Sequence, residues 1–204
     1  MTDELQNIIS GKSPVRYGTN IQAAISYLEA SQASSALDKT DKHFKHKETE
    51  RLKQYIDEQN LRIKDIDLNN YVSEGAEQKV YLKDSKSVIK LNDAIYYLSW
   101  ADYFVNLLLN NYFFPDTAYN LSGFFENDNI VYAVVEQNFI TATQKTDLKH
   151  VEQFMNSNGF QKIRNNDYFN PKLGIILEDL HDENVLTSND ILYFIDTVFY
   201  LKRI

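Results

Sequence analysis

An aspartate, an asparagine five residues later and a second aspartate twelve beyond that, with two short apolar runs between them, limit what this chain can build more than any other feature. They are Asp179, Asn184 and Asp196. They stand in Leu177-Glu178-Asp179-Leu180-His181-Asp182-Glu183-Asn184-Val185-Leu186 and in Phe194-Ile195-Asp196. Phosphoryl transfer needs a carboxylate near the attacking hydroxyl and two oxygen ligands that hold magnesium against the phosphates. A loop carrying Asp179 and Asn184, with Asp196 at a strand end, supplies all three. The plainer reading of the same residues is an acidic surface loop beside a β-hairpin.

The upstream sequence bears on that choice. Ser73 to Leu82 reads as a Gly-bearing turn entering a strand, and Ser87-Val88-Ile89-Lys90-Leu91 reads as its returning partner. The Val-Ile-Lys run resembles the Val-Ala-Ile-Lys element of protein kinases, preceded by a phosphate-covering loop. Lys90 then serves as a flexible point charge for the α- and β-phosphates. Gly75 fills the middle glycine position of that loop, while Ser73 and Gln78 replace the other two. A loop with one glycine is stiffer and more crowded near phosphate.

Three segments carry a family likeness: Glu74 to Tyr81, Tyr112-Phe113-Phe114-Pro115, and Leu177 to Tyr200. Together they resemble the polyvalent protein kinase domain, a group of small kinase-like proteins associated with bacterial mobile elements. The likeness covers roughly residues 72 to 201. More distantly, Asp179-Leu180-His181 with Asn184-Val185-Leu186 is similar to the Asp-Leu-His-x-x-Asn-x-Leu loop of aminoglycoside phosphotransferases. The resemblance implies a kinase-like fold with ATP and magnesium as cofactors, and it names no acceptor.

Composition sets the outer bounds. The chain has 204 residues, 43% of them hydrophobic and 13% aromatic, enough for one packed core with an appended helical module. With no cysteine, disulfides and thiolate metal sites are excluded. The opening residues do not read as a secretion signal, and the most apolar stretch, Ala94 to Leu109, is interrupted by Ser99, Asp102 and Asn106. A soluble cytoplasmic protein without a membrane partner is therefore expected. A net charge of −8 argues against a general nucleic-acid binder.

The fold class expected is α+β: a minimal protein-kinase-like fold with an antiparallel small-lobe sheet and a truncated helical large lobe, preceded by N-terminal helices. Residues 1–68 form the helical segment and 69–204 the kinase-like domain, with a small lobe at about 71–137 and a reduced large lobe at about 138–204. Two N-terminal helices are expected, one through Ile21, Ala24, Ile25 and Leu28 and one over Asp41 to Gln59, separated by a linker at Ser31 to Lys39. Their apolar stripes are too thin for a core of their own. They should dock on the rest of the chain or on a second copy, as a homo-oligomer. The run His43-Phe44-Lys45-His46-Lys47 reads as a solvated helix face. Asp93 to Asn110 reads as the helix that offers Lys90 a carboxylate, with Asp102 the candidate and Asp93 the weaker one. Leu121 to Phe125 and Ile130 to Gln137 form a second hairpin, whose exit near Glu136 and Asn138 offers backbone groups to an adenine edge. Asp147 to Asn158 is a helix stopped by Gly159.

In this arrangement Gly75 and Lys90 contact the phosphates, Asn184 and Asp196 hold magnesium, and Asp179 accepts the acceptor's proton. His181 reads as a structural hydrogen-bonding residue. Three departures from protein kinases stand out: Leu177 in place of the catalytic-loop histidine, Thr197-Val198 in place of Phe-Gly, and only eight residues after Asp196. The last leads to the expectation that peptide docking helices are missing and that Val198 to Leu201 packs on the Asp147–Asn158 helix. An ATP-dependent phosphotransferase with a protein or small-molecule acceptor, a nucleotide-binding pseudokinase acting as an interaction module, and a structural remnant are the three functions these residues allow.

Overall fold

The structure is a computed structural model and describes residues 2–32, 42–67, 69–75 and 78–202. Most of the linker expected at Ser31 to Lys39 lies outside these residues.

Three helices come first: α1 (Asp3–Ile9), α2 (Gly18–Gln32) and α3 (Lys42–Glu58). The first of these is an addition to the two expected, capped by Thr2, whose hydroxyl accepts from Leu5 N. A five-stranded antiparallel sheet follows, built from β1 (Tyr71–Glu74), β2 (Gln78–Leu82), β3 (Ser87–Asn92), β4 (Asn120–Asn127) and β5 (Ile130–Asn138) in the order β1-β2-β3-β5-β4. Helix α4 (Trp100–Phe113) lies between β3 and β4 in sequence, and a 3₁₀ turn at Pro115–Thr117 follows it.

After β5 the chain makes α5 (Leu148–Ser157) and then six short strands: β6 (Gln161–Arg164), β7 (Asp167–Asn170), β8 (Ile175–Glu178), β9 (Val185–Ser188), β10 (Ile191–Phe194) and β11 (Val198–Leu201). Four of them form a sheet in the order β11-β8-β7-β6, and β9 and β10 form a hairpin. The expectation of a helical region after residue 138 is corrected: among the described residues α5 is its one helix. Alternation decides the outcome, since Tyr168, Ile175, Leu177 and Phe199 turn into the core from strands in which every second residue faces it.

The helix expected from Asp93 begins instead at Trp100. Asn92 and Asp93 accept with their side chains from Ala94 N and Ile95 N, closing Asx turns that leave Ile95, Tyr96 and Leu98 exposed. Ser99 then caps the helix by accepting from Asp102 N. Glu48 of α3, itself buried, accepts from Trp100 N at 2.6 Å and from Ala101 N at 3.4 Å, so a carboxylate sits where the helix dipole favours one. The run around His43 is correspondingly not a uniformly solvated face. Phe44 is buried, and Lys45 donates to the carbonyls of Ala94 and Tyr97.

Among the described residues one large hydrophobic core joins the N-terminal helices to the later strands, beside a small second cluster of Tyr81, Leu91 and Val134. The large core takes Leu5 and Ile8 from α1, Ile21, Ala24, Ile25 and Leu28 from α2, Leu52 and Ile56 from α3, and the apolar face of α4, and it continues through Phe124, Tyr168, Leu177 and Phe199. The N-terminal stripes are thus buried within this chain. Strand β11 packs on α4, not on α5: Phe199 N donates to Asn106 Oδ1 at 2.8 Å, and the Phe199 ring stacks on Phe113. The free edge of β4 is covered by residues 61–63, with Phe124 N donating to Leu61 O and Ile63 N to Phe124 O. The approach is so close that a Cβ at Gly123 (φ +153°) would stand 2.5 Å from Leu61 O, which only glycine avoids. No helix among the described residues is long and apolar enough to cross a membrane.

Candidate functional site

A cavity of about 410 Å³ opens between the five-stranded sheet and the segments on either side of the β9–β10 hairpin. Its sheet wall carries Val80, Val88 and Lys90, with Gly75 and Gln78 at one end and Gln137 and Asn138 at the other. The opposite wall carries Asn184, Leu186, Ile195 and Asp196. The register explains the first wall. Residues directly opposite on antiparallel strands share a face, and Lys90 stands opposite Val80 and Val135 while Val88 stands opposite Gln137.

Lys90 is 4% exposed. Its Nζ donates to Ile195 O at 2.8 Å and lies 5.3 Å from the centre of the Tyr119 ring. Burial pushes its ammonium below the usual lysine range, and the nearby Asp196 carboxylate pulls it part of the way back. Tyr119 Oη donates to the same carbonyl at 3.0 Å, so the residue preceding Asp196 is gripped from two sides.

Asp196 and Asn184 are joined through the backbone, since Ile195 N and Asp196 N both donate to Asn184 O. Asn184 spends its amide nitrogen on Asp179, donating to the backbone O at 3.0 Å and to Oδ2 at 2.8 Å. That leaves its amide oxygen to face elsewhere. An amide oxygen and a carboxylate on one cavity wall are hard donors of the kind magnesium takes, with water and phosphate completing its shell. The residues present therefore fit the ion. One oxygen of Asp196 is engaged already: Gln78 Nε2 donates to its Oδ2 at 2.6 Å across the cavity.

Asp179 holds a left-handed backbone (φ 69°), and its N donates to Asp167 Oδ1 on β7 at 3.1 Å. This turn brings its carboxylate back over Asn184, outside the set of residues lining the cavity. His181 Nδ1 accepts from Glu183 N at 3.2 Å, and its Nε2 lies 3.3 Å from Asp179 Oδ1. The imidazole thus braces the loop, with its other nitrogen toward the carboxylate.

The structure gathers Gly75, Lys90, Asn138, Asn184 and Asp196 around one cavity and ties Asp179 to Asn184. Three candidates are placed elsewhere. Asp102 does not meet Lys90: its Oδ2 accepts from Ser99 Oγ at 2.6 Å, a helix-capping arrangement, and it lines a different cavity beside α1. The late start of α4 is the cause, because it puts Asp102 in the helix's first turn. Asp93 is spent on its own Asx turn. Glu136 lies inside the ladder, opposite Ile89 on β3 and Asn120 on β4, and its side chain pairs with Lys83 at 2.7 Å. Its neighbour Gln137 lines the cavity instead. A Cβ added at Gly75 meets nothing within 4 Å, so the space beside that loop is open.

Sequence reasoning passed over Tyr119, Gln137 and three asparagines of α4. Asn110 Oδ1 accepts from Thr197 Oγ1, Asn106 Oδ1 accepts from Phe199 N, and Asn111 exchanges bonds with the Tyr119 backbone. These clamp both segments that hold Lys90 in place. The available signal was polar residues on a helix otherwise rich in leucine and aromatic side chains, where each buried amide needs a partner.

A buried strand lysine facing an amide–carboxylate pair, with an aspartate on the adjoining loop, defines a kinase-like protein. The chain belongs to the family described as serine/threonine/tyrosine kinases found in polyvalent proteins, whose model matches residues 45–203. That match begins inside α3, so the family unit takes in one of the N-terminal helices. Comparison with curated proteins and with solved structures finds no match.

Proposed function

We propose that the chain is an ATP- and magnesium-dependent phosphotransferase whose site lies in residues 69–204, supported by the helices of residues 1–68. The observation that carries this reading is Lys90, a buried ammonium on one cavity wall held against the residue before Asp196 on the other. A lysine loses solvation in such a position, and a bound polyphosphate is the ligand that restores a charged partner. Gly75 leaves room over the phosphates, and the backbone around Asn138 borders the base. The Asn184 amide oxygen and Asp196 would hold magnesium, which when bound offsets charge on the transferring phosphoryl group. Asp179, oriented by Asn184 and His181, would take the acceptor's proton. The acceptor, a protein or a small molecule, is not specified by these residues.

A nucleotide-binding pseudokinase that serves as an interaction module is the second reading, favoured by one contact. Gln78 occupies an Asp196 oxygen, and Lys90 rests on a carbonyl where an active site would place a carboxylate. Turnover separates the two. With γ-labelled ATP, magnesium and the full chain, the phosphotransferase releases or transfers label, and Asp179→Asn lowers the rate at least a hundredfold while nucleotide affinity holds. Tight ATP binding with no turnover above the Asp179→Asn background would favour the pseudokinase.

A further inference from the structure

Gln137 stands on the cavity face of β5, directly opposite Val88 and two positions along from the Lys90 pair, roughly 7 Å by strand geometry. It is 3% exposed, an unusual setting for a glutamine. Its Nε2 donates to Thr117 O at 2.7 Å. A carbonyl only accepts, so the amide's orientation is decided by that bond, and the oxygen is the atom left over. No described residue donates to that oxygen, yet no described side-chain polar atom is both sealed from solvent and without a partner. The oxygen is therefore open to solvent, and the cavity is the space that Gln137 borders.

We infer that Gln137 is a specificity-determining residue that reads the exocyclic amine of an adenine base. The inference rests on the nucleotide reading above and deepens it. With phosphates at Lys90, the base of the same nucleotide falls toward Gln137 and Asn138, between Val80, Val88 and Leu186. A fixed acceptor there receives a hydrogen bond from a 6-amino group and repels a 6-oxo group, and discrimination is strongest where a buried polar group would otherwise lose its partner. Asn138 lines the same end, but its Nδ2 donates to Asp116 O at 3.0 Å and the residue is exposed, so water can serve its amide oxygen whatever the base. The selectivity is thus assigned to one side chain.

The test is equilibrium binding of ATP, ITP and purine riboside triphosphate to the full chain with magnesium. ITP carries a 6-oxo group and the purine analogue no 6-substituent. ATP is expected to bind about tenfold more tightly than either, which corresponds to about 1.4 kcal/mol. In Gln137→Met the preference should fall to within about twofold, with ATP still bound. Met keeps the volume, and Thr117 O retains Asn110 Nδ2 as a donor, so the exchange leaves no orphaned carbonyl. Equal affinities in the unmodified chain overturn the inference and leave the nucleotide reading standing, even if the variant does not fold. An undiminished preference in Gln137→Met overturns it by assigning the selectivity to the backbone. Binding of none of the three removes the nucleotide reading, and the inference with it.

Discussion

Lys90 shows a conflict between stability and function within one side chain. Its ammonium is buried against a neutral carbonyl and an aromatic ring, with Asp196 the charge that favours it, so the folded chain holds it below its ordinary pKa of 10.5. Between the folded and unfolded values the unfolded chain binds more protons, so the Lys90 contribution makes stability rise with pH through that alkaline window. Lys90→Met should remove this rise and raise stability at pH 7 by about 1 kcal/mol, because Met needs no solvation and Tyr119 still serves Ile195 O. Chemical denaturation of both proteins across pH 7 to 10 checks it; equal slopes would show that Lys90 titrates normally. Gln78 makes the opposite kind of contact, one that under the proposed function competes with a metal ion for Asp196 Oδ2. Gln78→Ala should strengthen magnesium-dependent ATP binding severalfold and leave metal-free binding unchanged, a difference that calorimetry reads directly.

Helix α4 owes its position to side chains from elsewhere in the chain. Glu48 caps its first turn from α3, and Lys45 ties the preceding loop. Removing a buried cap that serves two backbone N–H groups should cost about 2–4 kcal/mol in Glu48→Ala, more than the usual surface cap. An urea midpoint that does not move would show that water replaces the carboxylate. From its other face, Asn106 and Asn110 hold residues 197–199, across sequence separations of 93 and 87 residues. Such pairings explain what was hard to read. The β2 to β5 strands, the Asp147 cap and Gly159 stop of α5, and the order of Lys90, Asp179, Asn184 and Asp196 are local signals, carried by period, capping residues and spacing. The start of α4 was misread because Asn92 and Asp93 suit an Asx turn as well as they suit a helix cap. Asp102 was misplaced as a consequence, and the α4 asparagines meet partners that no local pattern announces.

Helices α1, α2 and α3 are part of the core, and among the described residues the second cluster, Tyr81, Leu91 and Val134, is too small to stand without them. Deleting residues 1–32 strips Leu5, Ile8, Ile21, Ile25 and Leu28 from a common cluster. Each loss of that kind costs about 2–5 kcal/mol, and the five together, about 10–25 kcal/mol, match or exceed the roughly 5–15 kcal/mol by which a domain is stable. The truncated chain should show no cooperative thermal transition; an unchanged melting temperature would mean that α1 and α2 add nothing to the core. The same unity bears on the site, since its two walls are tied together through α4 and Tyr119. The central claim is that these walls bind a magnesium nucleotide, and calorimetric titration of ATP into the full chain and into Asp196→Asn, with and without magnesium, tests it most directly. The account predicts micromolar ATP binding that the ion strengthens, with Asp196→Asn losing the magnesium-dependent part and keeping the metal-free part. ATP binding that ignores both the ion and the substitution, or no ATP binding at all, would contradict it.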